Sequence, residues 1–182
     1  MFKKCVIISG GLGSRMLPIT KYVPKASIIV NDKKLSSHSI EFLRGNKVES
    51  IFMTYNYLSQ NLFSDFKSEV DAFINTEDKD NSFFITSTFL SDIDEPIIII
   101  PCDIIFEIDL TKLYDEYFKL NSPHVMVVPI KSVDGIIGNY VHFEKNNITK
   151  LSRSDVSEYY LSGIQIVNPK KLNSILSEKI GR

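Results

Sequence analysis

Four consecutive isoleucines, Ile97, Ile98, Ile99 and Ile100, constrain this chain more than any other short segment. A strand turns successive side chains to opposite faces, so a run with no polar position must be covered on both. Residues 97–100 therefore read as a central strand with helices on either side. Other short apolar, β-branched runs fall at residues 5–9, 51–55, 83–86 and 125–128. Helical spacing appears between them. Leu62, Phe66, Val70 and Phe73 form one stripe between Ser59 and Asn75, and Leu113, Tyr117 and Leu120 form another after Thr111, a plausible N-cap. Asn168-Pro169 has the signature of N-cap and first helical residue, with Leu172, Ile175, Leu176 and Ile180 inward. Strands alternating with helices predict an α/β fold: a Rossmann-like three-layer sandwich around a mostly parallel central sheet. In such sheets ligands bind beyond the carboxyl ends of the strands.

A chain of 182 residues suits one domain with a sizeable core, so residues 1–182 are expected to form a single domain. A net charge of -1 gives no electrostatic footprint for nucleic acid or an anionic membrane. No apolar run approaches the length of a membrane span. The apolar stretch after Lys3-Lys4 is too short for a signal peptide and ends at Ser9-Gly10-Gly11, so a cytoplasmic protein is expected. Cys5 and Cys102 sit beside strand segments and read as small buried hydrophobes of a reduced compartment. His38, His124 and His142 stand near no visible nucleophile.

The chemistry concentrates in two places. The run at residues 5–8 passes directly into Ser9-Gly10-Gly11-Leu12-Gly13-Ser14-Arg15, and Lys25 follows Arg15 by ten residues. Glycines let backbone N–H groups close around an anion. Arg15 adds a planar charged fork suited to phosphate oxygens, and Lys25 a mobile point charge. The P-loop is excluded because no Gly-Lys-Ser/Thr follows; the dinucleotide fingerprint is excluded by Met16, where a small residue is needed. The second place is Pro101-Cys102-Asp103, directly after the central strand. A carboxylate there faces the same crevice as the glycine loop and suits a divalent ion bound partly by phosphates.

Gly10-Gly11, Gly13-Ser14-Arg15, Pro18-Ile19-Thr20 and Pro24-Lys25 together resemble the signature of the sugar-1-phosphate nucleotidylyltransferases, whose fold is shared with GT-A-type glycosyltransferases. The resemblance implies an enzyme joining a nucleoside triphosphate to a sugar 1-phosphate, with release of pyrophosphate and Mg²⁺ as cofactor. It implies catalytic roles for Arg15, Lys25 and Asp103, with Asp103 also the metal ligand. Ser9, Gly10, Gly11, Gly13 and Ser14 would hold the nucleotide. Asp103, Phe106, Asp109 and Leu110 keep the family's pattern after the central strand, with Cys102 where glycine is usual. Asp109 reads as an N-terminal helix charge rather than a ligand. Residues 139–153 resemble the family's strand, turn and Ile-x-x-x-x-Lys segment, with Arg153 in the lysine's place. Leu161-Ser162-Gly163-Ile164 resembles its Ser/Thr-Gly strand. Asn139, Arg153, Ser162 and Gly163 are accordingly expected on the acceptor side. Homo-oligomerisation is compatible with the family.

Three departures qualify the resemblance. Ala26 stands where a second proline is usual. Asn81-Ser82-Phe83-Phe84 replaces the Gly-Thr-Ala-Gly loop and resembles the choline-phosphate cytidylyltransferase branch, so Asn81 and Ser82 are candidates for base or ribose. The family's second metal-binding aspartate would fall beyond Arg182, so either another acid such as Asp134, Asp155 or Glu158 takes its place or the chain is a truncated or catalytically impaired member. The alternatives are a CTP-dependent enzyme for phosphocholine or a similar alcohol phosphate, and a non-catalytic nucleotide-binding relative. A molybdopterin guanylyltransferase fits poorly, because its lysine follows the arginine by about five residues. A glycosyltransferase would want Asp-x-Asp where Asp103-Ile104-Ile105 stands.

Overall fold

A computed structural model of the protein describes residues 1–76, 89–135 and 138–180. The strands are β1 (Lys4–Ile8), β2 (Ile29–Val30), β3 (Lys33–Lys34), β4 (Ser50–Tyr55), β5 (Ala72–Asn75), β6 (Ile97–Pro101), β7 (Val125–Lys131), β8 (Tyr140–Glu144), β9 (Asn147–Ser152) and β10 (Tyr159–Val167). The helices are α1 (Leu35–Gly45), α2 (Ser59–Phe66), α3 (Leu110–Lys119) and α4 (Pro169–Ile180). Strands β5, β4, β1 and β6 lie side by side in that order, all parallel. Beyond β6 the direction changes. β10 pairs antiparallel with β6, β7 and β8, and β9 continues from β8. β2 and β3 form a separate small hairpin.

The isoleucine run behaves as its lack of a polar face requires. Ile98 and Ile100 join Cys5 and Ile7 in a core closed by α1, α2 and α3; Ile97 and Ile99 join Val6, Phe52 and Ile74 on the opposite face, where Leu172 of α4 packs. Helices on both faces make the three layers. The Asn168 cap also forms: its side-chain oxygen accepts from Lys171 N at 3.0 Å.

Two local expectations change. The stripe Leu62, Phe66, Val70, Phe73 does bury into one core, but not on one helix. α2 ends at Phe66, and residues 72–75 form a strand in register with residues 52–55 of β4. The Phe63 and Phe73 rings meet at 4.6 Å across this helix-to-strand change. A helix followed by a strand on the same core can therefore imitate helical spacing. The second change is the cap of α3: Asp109, not Thr111, accepts from Lys112 N at 2.9 Å, because its carboxylate reaches the free N–H groups first. The expected strand at residues 83–86 lies outside the described residues.

Candidate functional site

The glycine loop leaves the carboxyl end of β1 and is fastened by its neighbours. Ser9 N donates to Thr54 Oγ1 at 2.9 Å, and the Ser9 hydroxyl donates to Thr54 O. A Cβ on Gly10 would stand 3.0 Å from Thr76 Oγ1 and 3.5 Å from Asn56 Cβ, so the segments after β1, β4 and β5 converge there. Gly13 has φ +62°, and a Cβ on it would meet Thr20 Cγ2 at 2.9 Å. The buried Thr20 hydroxyl donates to Gly13 O at 2.9 Å. Thr20 thus closes the loop on itself. The Pro-Ile-Thr motif marked this position, but its sequence assigned Thr20 no role. Gly11, Ser14 and Arg15 are exposed, and Arg15 has no hydrogen-bond or ion-pair partner among the described residues. Its guanidinium is free to meet an anion.

Lys25 opens a short 3-10 turn, Lys25–Ser27, behind the buried Pro24. Its Nζ donates to Asp103 Oδ2. Both side chains are partly exposed, at 23% and 31%. The sheet register explains the meeting: Ile8 pairs with Pro101, and Cys102 N donates to Ile8 O at 3.0 Å. The turn after β6 is thereby laid beside the loop after β1. Burial, with the Asp103 carboxylate adding to it, pushes the Cys102 thiol up to about 12. Cys102 is a neutral packing group, not a nucleophile. Asp109 is spent on the α3 cap, as the sequence suggested.

Among the described residues no cluster of three or more His, Cys, Asp or Glu side chains could hold an ion. Asp103 offers one carboxylate, a donor set that fits Mg²⁺ only with phosphate oxygens completing the shell. Asp155, a candidate second acid, is engaged elsewhere, 2.6 Å from Lys150 Nζ and 3.6 Å from His142 Nε2.

The acceptor-side candidates divide. Arg153 Nε donates to Asn139 Oδ1 at 3.1 Å, so these two exposed residues do meet. Ser162 and Gly163 have structural work in the fold. The Ser162 hydroxyl donates to Val128 O at 2.6 Å and accepts from Ile164 N at 3.0 Å. Gly163 has φ +87° where the β10–β7 register shifts, and a Cβ there would meet Pro101 Cγ at 2.8 Å. Asn81 and Ser82 lie outside the described residues. A cavity of about 590 Å³ opens on the antiparallel wing, lined by Leu120, Met126, Val141, Phe143 and Ile148 among others. It contains none of the residues around Lys25, and convergent charge rather than volume marks the candidate site.

Residues 4–136 match the family model described as "Nucleotidyl transferase". The chain belongs to the nucleotidyl transferase family. Among its relatives is the choline-phosphate cytidylyltransferase of Streptococcus pneumoniae, 39% identical over 57 residues, covering 31% of this chain and 25% of that protein. The mannose-1-phosphate guanyltransferase of Aspergillus oryzae is 23% identical over 187 residues, covering 94% and 51% respectively. The chain spans about half or less of the length of these curated relatives. The solved CTP:phosphocholine cytidylyltransferase of Streptococcus pneumoniae superposes with a TM-score of 0.74 at 18% identity, over 98% of this chain and 77% of that one. At that identity the likeness establishes the fold, a nucleotidyltransferase α/β sandwich.

Proposed function

We propose that this nucleotidyl transferase joins a nucleoside triphosphate to a sugar 1-phosphate, giving an NDP-sugar and pyrophosphate. The observation that supports the reading is the meeting of Lys25 and Asp103 beside a glycine loop at the ends of β1 and β6. An acceptor phosphate oxygen attacks the α-phosphorus in line, and the bond to the bridging oxygen of the β-phosphate breaks. Such a transfer asks for positioning and charge neutralisation rather than covalent catalysis. Backbone N–H groups around Gly10, Gly11 and Gly13, with Ser9 and Ser14 beside them, receive the nucleotide. Arg15 grips the β- and γ-phosphates that leave together. Lys25 bridges the acceptor phosphate and the α-phosphate, drawing the two reacting groups together. Asp103 would hold Mg²⁺, which supplies charge neutralisation at the phosphates when bound. Arg153, beside Asn139, serves the acceptor phosphate. We read residues 1–182 as one nucleotidyltransferase domain working in the cytoplasm; no helix among the described residues is long and apolar enough to cross a membrane.

A second acceptor class has its own support. The 57-residue segment 39% identical to a choline-phosphate cytidylyltransferase, together with Ala26, favours phosphocholine or a similar alcohol phosphate with CTP. One screen tests both readings: pyrophosphate release with Mg²⁺, each of the four common nucleoside triphosphates against sugar 1-phosphates and phosphocholine. Release dependent on one triphosphate and one sugar 1-phosphate is expected. Release with CTP and phosphocholine alone transfers the assignment to the second class. Triphosphate binding without release under any pairing rejects both in favour of a binding protein.

A further inference from the structure

Helix α1 buries three serines, Ser36, Ser37 and Ser39, and two of them bond outside the helix. Ser36, Ser39, Ile40 and Leu43 all face inward, and Ser36 and Ser39 are 0% and 2% exposed. An apolar side chain there would add burial, and a better helix former would suit the helix more. A buried hydroxyl is tolerated where it finds a hydrogen-bond partner. Here both partners belong to one short turn. Ser36 Oγ donates to Cys102 O at 2.8 Å, and Ser39 Oγ donates to Ile104 O at 2.7 Å. The residue between those two carbonyls is Asp103.

We propose that Ser36 and Ser39 are positioning residues for Asp103, holding the backbone on either side of it so that its carboxylate meets Lys25. The β6 ladder ends at Pro101, so the carbonyls beyond it need donors from outside the sheet. Two donors from one rigid helix fix both the place and the orientation of the residue they flank. The same helix is tied to the lysine. Leu35 N donates to Ile28 O at 2.8 Å, and Ile28 N donates to Lys25 O at 3.3 Å. α1 therefore spans the two sides of the Lys25–Asp103 pair, which lie 78 residues apart in the chain. The catalytic consequence rests on the nucleotidyl-transfer reading.

The test compares Ser36→Ala, Ser39→Ala and their combination with Ser37→Ala, a buried serine of the same helix with no bond to the Asp103 turn. Ser39→Thr keeps a hydroxyl at the second position. With the triphosphate and acceptor that the screen identifies, the double variant should lose about tenfold or more in kcat and need several-fold more Mg²⁺ for half-maximal rate. KM for the triphosphate should stay within about twofold. Ser37→Ala should match the parent, and Ser39→Thr should recover much of what Ser39→Ala loses. A folded double variant with kcat and Mg²⁺ requirement within about twofold of the parent overturns the proposal. So does an equal loss in Ser37→Ala. Should the double variant fail to fold, the single variants carry the same comparison. If the parent shows no turnover at all, the function reading fails on its own, and hydrogen exchange of the peptide covering residues 102–106 decides this inference. Faster exchange in the Ser36 and Ser39 variants, with parent-like exchange in Ser37→Ala, sustains it; equal protection in all of them rejects it.

Discussion

Lys25 and Asp103 illustrate how little a charged side chain's role depends on its neighbours in the chain. Each was recognisable from its local motif, but only the register of β1 with β6 brings them into contact. Lys25→Ala should abolish turnover while circular dichroism stays unchanged, because a partly exposed side chain carries little of the core. Residual turnover near the parent's would remove Lys25 from the mechanism. Gly163 is a different case. Its φ of +87° and the Pro101 ring lying where a Cβ would go leave no room for a side chain. Gly163→Ala should cost about 2 kcal/mol in urea unfolding. The thiols supply a pH prediction. Burial raises Cys5 and Cys102 above their ordinary value of 9.0, Cys102 to about 12. Both thiols are buried and held neutral, so a thiol reagent should label the native protein far more slowly than the unfolded one. Since the unfolded thiols ionise first, this part of the stability is full below pH 9 and is lost as pH rises above it.

Elements were legible where local chemistry and tertiary packing agree. The last helix starts at Pro169 because Asn168 caps it and proline needs no N–H donor there. The stripe from Leu62 to Phe73 was legible as burial but not as backbone. Sheet pairing with β4, a long-range event, takes residues 72–75 out of the helix. The α3 cap moved two residues for a local reason, since aspartate at 109 satisfies the first turn better than a threonine already inside it. Asp109→Ala should therefore cost about 1 kcal/mol, read as a lower urea midpoint with an unchanged m-value, and Thr111→Ala clearly less. Equal losses would return the cap to Thr111. The antiparallel wing left only a trace in the apolar pattern. Strand β9 is largely exposed and β8 buries only Val141, so neither carries a strong alternation; they were visible only through the resemblance to the family.

At the scale of the molecule, the central strands feed both cores, and β6 does so with four buried isoleucines, two to each face. Ile99 is 1% exposed and packs on the α4 face, while Ile98 is fully buried on the face of α1, α2 and α3. Truncation of either, Ile98→Ala or Ile99→Ala, should cost about 3 kcal/mol and shift one cooperative unfolding transition. Two separated transitions would mean that the layers fold independently. The amino-acid sequence by itself determined the covered central strand, the phosphate-suited loop after β1 and the acid after β6, because each follows from side-chain type and short spacing. Only the tertiary structure decided that Lys25 faces Asp103, that Thr20 closes the loop and that Ser36 and Ser39 hold the acidic turn. Those contacts depend on register and helix placement, which are set by burial across the whole sheet and leave no periodic trace in the residues that make them.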